Sequence, residues 1–333
     1  MPPSSCYRNR IVILFVGLFF ILACSLGGTT TAQPVFDTTK AVLELEATAM
    51  VLQLTQSAMN NQAPVAAPTV APLQPTVAPP PTAGAAPTAS SGMSQDFDTW
   101  MKSASILLFE DMAGDFVVGR SINEALNGLG LSYTDVKDAL GHYKNEILSG
   151  GPGGRGWDLI ISGKELRSGV QGEFYVYLND AITQGSAVII EEWDMDAIGY
   201  GKLSLITGRC GVTLDKDWIG KPVSDHVIFP IDGTHPIHHM PNEGIALTNP
   251  TGYWVGDDLG DRMRLAPGSK AIPLWGLYAN SKNNDLTAVT CVDGRVIIQT
   301  YSTHSYGDDR VVRMWQNYIY NTLKARYDYL AAQ

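Results

Sequence analysis

The chain carries several acidic residues at positions where chemistry could be built. Glu110 and Asp111 follow a short apolar run, Ser105 to Phe109. Glu191, Glu192 and Asp194, with Trp193 among them, follow another, Ser186 to Ile190, and Glu165 lies just past a third, Trp157 to Ser162. Paired carboxylates serve as general acid and base, or bind a cation or a polyol. If the three runs are parallel strands, these acids converge on one rim, where sheets of this kind open a ligand cleft. The alternative reading is a set of solvated loop carboxylates, some capping helices. His235, His238 and His239 invite a metal reading, but their spacing matches no zinc motif, so no metal and no cofactor is expected. Cys210 and Cys291 either pair as a disulfide in an exported protein or are small core residues. Trp193, Trp218, Tyr253, Trp254, Trp275 and Tyr278 would stack on sugar rings or fill the core. Gly150 to Gly154 has the glycines of a phosphate loop without its Lys-Ser/Thr, and reads as a flexible loop.

The elements that would position these residues are legible. Strand-like runs at 105–109, 132–136, 157–162 and 186–193 alternate with helical patterns at 121–129, 136–148, 173–183 and 198–207. Continuous apolar strands between amphipathic helices predict a parallel sheet covered on both faces. After Gly211 the runs become short and β-prone: 227–231, 244–247, 253–255 and 271–277. The segments 287–291 and 295–300 flank Val292-Asp293-Gly294, a hairpin signal, and a last helix is expected from Asp309 to Leu330. The fold class is therefore α/β: a doubly wound parallel sheet with helices on both faces and a β-rich C-terminal extension.

Ahead of this domain, which covers 95–333, lies a different kind of sequence. Arg8 and Arg10 precede an apolar run, Ile11 to Ala23, that ends at Cys24. The run falls short of the roughly 20 residues a spanning helix needs and matches a secretion signal. Ile21-Leu22-Ala23-Cys24 resembles a bacterial lipobox, although Leu22 stands where a smaller residue is commoner. The resemblance implies that residues 1–24 are a lipoprotein signal and that the Cys24 thiol accepts a diacylglyceryl group, with membrane lipid as its partner. An ordinary signal peptide, or an N-terminal anchor with an incidental cysteine, is the alternative. Residues 25–61 read as a helical stalk, with a weak heptad-like seam at Ala41, Leu45, Thr48, Leu52, Thr55 and Met59. Residues 62–94 form a Pro/Ala/Thr-rich spacer, extended and semi-rigid. Only Asp37, Glu44 and Glu46 among the acidic residues lie outside the C-terminal domain, so the net charge of −10 belongs to it. That charge argues against nucleic acid as a partner.

The order of elements, together with Trp157-Asp158-Leu159-Ile160-Ile161-Ser162-Gly163, Thr234-His235-Pro236-Ile237, and Gly294-Arg295-Val296-Ile297-Ile298 followed by Tyr301-Ser302-Thr303-His304, resembles the class I glutamine amidotransferase-like fold. The trehalose-utilisation-like branch of exported proteins is the nearest in pattern. The resemblance implies a flavodoxin-like sheet, and it places His304 in the region where amidotransferases keep a histidine. It also implies a nucleophilic cysteine on the turn after the 187–190 strand. Here that turn reads Glu191-Glu192-Trp193-Asp194. A carboxylate cannot replace a thiolate as acyl-transfer nucleophile, so glutamine hydrolysis is not expected. Three functions remain open: a lipid-anchored binding or scaffold module facing outside the cytoplasm, with a carbohydrate or envelope protein as partner; a carbohydrate-active hydrolase using Glu191, Glu192 and His304; and a purely structural envelope protein that assembles through the helix at 38–61.

Overall fold

The computed structural model describes residues 95–111, 119–164, 170–195, 202–217, 227–247, 260–304 and 309–333. Cys24, the stalk, the spacer, Glu165, Trp218, Tyr253 and Trp254 lie outside the described residues. Among the described residues, no helix is long and apolar enough to cross a membrane.

The elements run α1 (Phe97–Ser103), β1 (Ile106–Glu110), α2 (Ser121–Gly128), β2 (Thr134–Asp135), α3 (Leu140–Leu148), β3 (Leu159–Gly163), α4 (Glu173–Thr183), β4 (Ala187–Glu191) and α5 (Ser204–Cys210). They continue with β5 (Val212–Asp217), β6 (Phe229–Pro230), β7 (Asp261–Leu265), β8 (Ile272–Gly276), β9 (Leu286–Cys291), β10 (Val296–Gln299) and α6 (Asp309–Ala331). The main sheet order is β2-β1-β3-β4-β10-β9-β7-β5. Strands β2, β1, β3, β4 and β10 are mutually parallel. In chain order of those five strands this is the 2-1-3-4-5 arrangement of flavodoxin-like sheets. The remainder is antiparallel: β10 turns back into β9, and β7, β8, β5 and β6 extend that edge.

The parallel strands are apolar throughout because both of their faces are covered. On one face Ile106, Leu108, Ile161, Ile189 and Ile297 pack against Ile122 and Leu126 of α2 and against Trp315, Tyr318 and Ile319 of α6. On the other, Leu107, Phe109, Ile160, Val188, Ile190 and Ile298 meet Tyr143 of α3, with Tyr175, Leu178 and Ile182 of α4 and Ile206 of α5. Each fully buried aliphatic side chain is worth about 1.5–3 kcal/mol, so the two faces together hold the sheet. Phe174, Tyr175, Leu178 and Ile182 give α4 its buried stripe; the sequence pattern predicts Phe174, Tyr177, Leu178 and Ile182, but Tyr177 is only partly buried and Tyr175 takes its place.

Three expectations need correction. The helix expected from Val136 begins at Leu140, because Lys137 takes a left-handed φ of 53° and breaks the helical path. The helix expected at 198–207 is described from Ser204 to Cys210 and ends on Gly211, whose φ of 65° suits a glycine cap. Strands β5 and β7 were not expected. Their sequences, Val-Thr-Leu-Asp-Lys-Asp and Asp-Arg-Met-Arg-Leu, are too polar to look like core strands. The hairpin at 292–294 is present, with positive φ at Val292 and Asp293.

Candidate functional site

The carboxyl ends of the parallel strands align in a single rung. Glu110 pairs in register with Gly163, Gly163 with Glu191, and Glu191 with Gln299. Residues in register share a face, so Glu110, Glu191 and Gln299 all project toward α2 and α6. Gly163 has no side chain, and His304, from the segment after β10, occupies the space above it. A Cβ built on residue 163 would lie 3.4 Å from His304 Cε1. The imidazole is thus flanked by carboxylates on the two neighbouring strands. Its Nε2 lies 3.3 Å from Glu110 Oε1 and its Nδ1 lies 3.1 Å from Glu191 Oε1.

Each carboxylate is further engaged. The backbone N–H groups of Ile122 and Asn123 donate to Glu110 at 2.8 and 3.2 Å. Arg120, the N-cap residue of α2, offers no side-chain cap of its own, so Glu110 caps that helix from β1 and meets the positive end of its dipole. Arg120 Nε lies 3.1 Å from Glu110 Oε2, while its terminal nitrogens donate to Asp135 at 2.7 and 2.8 Å. Glu191 Oε2 accepts from Gln299 Nε2 at 2.7 Å and from Thr303 Oγ1 at 2.6 Å. Trp315 Nε1 in turn donates to Thr303 Oγ1 at 2.9 Å. Charges therefore alternate along Asp135, Arg120, Glu110, His304 and Glu191. Glu110, Glu191 and His304 have no exposed surface. Burial alone would lower the imidazole pKa; the hydrogen bonds and charges of Glu110 and Glu191 outweigh it and raise the pKa to about 10. At neutral pH His304 is an imidazolium, without the lone pair that a general base requires.

A second polar cluster occupies the opposite face. Lys164 and Glu192 each follow the last residue of β3 and β4, so they point away from Glu191. Lys164 Nζ lies 2.8 Å from Glu192 Oε1 and 4.0 Å from Asp194 Oδ2. The Tyr175 hydroxyl donates to Glu192 Oε2, and the Asp194 N–H donates to Oε1 at 3.1 Å. Burial raises the Glu192 pKa, and Lys164 and Tyr175 act against that rise. Lys164 and Glu192 are fully buried, and Asp111 and Asp194 nearly so. Trp193 is half-buried.

Among the described residues, the rim acids Glu110, Asp111, Glu191, Glu192 and Asp194 stand at strand ends, but they are buried rather than solvated. They divide between two faces of the sheet: Glu110 and Glu191 join His304, whereas Glu192 and Asp194 join Lys164. Arg120, Gly163, Lys164, Tyr175, Gln299, Thr303 and Trp315 were not singled out from sequence as parts of these clusters. A lysine directly after an apolar strand, in phase with Glu192, was the available signal for Lys164.

The remaining candidates sit elsewhere. Cys210 and Cys291 form a disulfide joining the end of α5 to the end of β9. His235 Nδ1 accepts from the Ile237 N–H, His239 Nε2 lies 2.6 Å from Gly233 O, and buried His238 packs edge-on against Trp275. Among the described residues, no group of three or more potential metal ligands converges. Trp275 is buried in the core and Tyr278 is exposed.

Neither a family model nor a curated protein sequence matches the chain. Among solved structures it is similar to a glutamine amidotransferase from Thermotoga maritima, at 9% identity and a TM-score of 0.37, over 69% of this chain and 99% of that one. It is also similar to a ThuA-like protein from Parabacteroides merdae, at 13% identity and a TM-score of 0.34, over 64% of this chain and 87% of that one.

Proposed function

We propose that the chain is an extracytoplasmic lipoprotein, anchored through Cys24, whose α/β domain binds or scaffolds at the cell envelope and does not hydrolyse glutamine. The observation that carries this reading is the state of the strand-end groups. Among the described residues, Glu110, Glu191 and His304 on one face, and Lys164 and Glu192 on the other, are buried and paired with one another. The imidazolium of His304 is held between Glu110 and Glu191, and Glu192 is held by Lys164 and Tyr175.

The disulfide counts separately against a thiol nucleophile. The two cysteines of the domain are bonded to each other, and neither stands in the turn after β4, which reads Glu191-Glu192-Trp193-Asp194. A disulfide in the folded domain also fits an oxidising compartment, which supports export. The hydrolase reading requires two carboxylates reaching one scissile bond from an open cleft. Glu191 and Glu192 leave opposite faces of the sheet and neither has exposed surface, which counts against it. The partner class that remains is a carbohydrate or another envelope protein.

Ammonia release from glutamine by the full chain tests the catalytic half of the reading. No release above the buffer rate is expected between pH 6 and 9. Turnover that disappears in His304→Gln or Glu192→Gln would overturn it.

A further inference from the structure

A cavity of about 750 Å³ opens at the end of the sheet opposite the Glu110–Gln299 rung. Three segments form its walls: the end of α5 around Cys210, the β7–β8 connection from Ala266 to Ile272, and the β9–β10 turn from Cys291 to Gly294. Its volume falls within the roughly 300–1,000 Å³ that small-molecule sites occupy.

The walls are tied to one another. The disulfide joins Cys210 to Cys291. The Ala266 N–H donates to Gly211 O at 2.8 Å, and Ser269 Oγ donates to Cys210 O at 3.0 Å. Gly211 leaves room for this approach, since a Cβ there would come within 2.8 Å of Ser269 Oγ. A cavity whose sides are cross-linked in this way is preformed, so a ligand does not have to order it.

Its charge differs from that of the rest of the domain. Arg209 and Lys270 line it against one acid, Asp293, in a chain of net charge −10. Arg209 donates to Asn179 Oδ1 and Thr183 Oγ1, which are uncharged groups, so its charge is not cancelled there. Lys270 is exposed, with no hydrogen bond or ion pair among the described residues. His235, also in the lining, accepts a hydrogen bond at Nδ1, which fixes the proton of the neutral ring on Nε2 and leaves that N–H as a donor.

We propose that this cavity binds a small anion bearing a carboxylate or phosphate group, held by Lys270 and His235 with Arg209 adding positive charge. The site is distinct from the strand-end clusters and does not depend on the lipid anchor.

Calorimetric titration of the full chain in detergent micelles tests the proposal. The probes are citrate, inorganic phosphate and, as an uncharged control, glucose, all at constant ionic strength. Citrate or phosphate should bind and glucose should not. Lys270→Gln should weaken anion binding about tenfold, the loss of one charge-assisted contact. Lys144→Gln removes the same charge from α3, where Lys144 pairs with Glu173 at 2.9 Å, and should leave binding unchanged. The proposal is overturned if neither anion binds, if glucose binds as tightly, or if the two variants weaken binding equally.

Discussion

His304→Gln removes the imidazolium from between Glu110 and Glu191 and keeps a side chain of similar reach. Glu110 retains Arg120 and two backbone N–H donors. Among the described residues Glu191 retains the neutral donors Gln299 and Thr303, and no cation of theirs is paired with it, so its charge is left buried without a counter-ion there. Removing one partner of a buried pair costs about 3–5 kcal/mol. A domain of this size loses about 2–4 °C of melting temperature per kcal/mol, so the variant should melt roughly 10 °C lower. The pH dependence gives a second handle on the same contact. The folded-state pKa of about 10 lies above the ordinary 6.5 of an unfolded histidine, so the folded state binds the proton more tightly. Its contribution is fully present below pH 6.5 and is lost as pH rises through about 10, at about 1.4 kcal/mol per pH unit. Between pH 6.5 and 9 the wild type should lose roughly 3 kcal/mol more than His304→Gln does. Urea unfolding followed by tryptophan fluorescence, at several pH values, measures both effects. Adding Glu191→Gln to the variant should recover part of the loss, because the orphaned charge is gone. The reasoning is refuted if His304→Gln costs under about 1 kcal/mol and the two pH profiles are parallel.

Two further substitutions test the packing around the site and the cross-link opposite it. Gly163→Ala places a Cβ 2.5 Å from Ile122 Cδ1, an overpacking that should cost about 1–3 kcal/mol in urea unfolding; an unchanged midpoint would mean that Ile122 does not pack tightly over this glycine. Cys291→Ser opens a disulfide whose cysteines are 81 residues apart, and should lower stability by about 4 kcal/mol in non-reducing buffer while the reduced proteins melt alike.

How much of this could be read from the sequence depended on how local each cause is. The runs that became β1, β3 and β4 were legible because a strand buried on both faces is apolar along its whole length. The α4 stripe was legible because Phe174, Leu178 and Ile182 repeat at helical spacing. Strands β5 and β7 were hidden because they lie toward the open edge of the sheet, where charged side chains such as Lys216 and Arg264 reach solvent and blur the pattern. Glu110 and Glu191 were identified from their positions at strand ends, and His304 from the resemblance. Their convergence was not, because it arises from register: only the alignment of Glu110, Gly163, Glu191 and Gln299 across four strands makes a slot over the glycine. The same limit hid the burial of Glu192. Its partner Lys164 is remote in sequence and becomes adjacent only when β3 and β4 pair. Cys24 differs in kind, since the expectation about it rests on residues 8–24 alone and involves no tertiary contact.

The anchor is the part of the proposal with the clearest single test. The full chain and its Cys24→Ser variant are expressed in a bacterium supplied with radiolabelled palmitate, and the membranes are washed with alkaline carbonate. The wild type should carry the label and stay with the membranes as a processed form. The variant should carry no label and leave the membrane fraction. A Cys24→Ser protein that is still processed and still membrane-bound would contradict the lipid anchor.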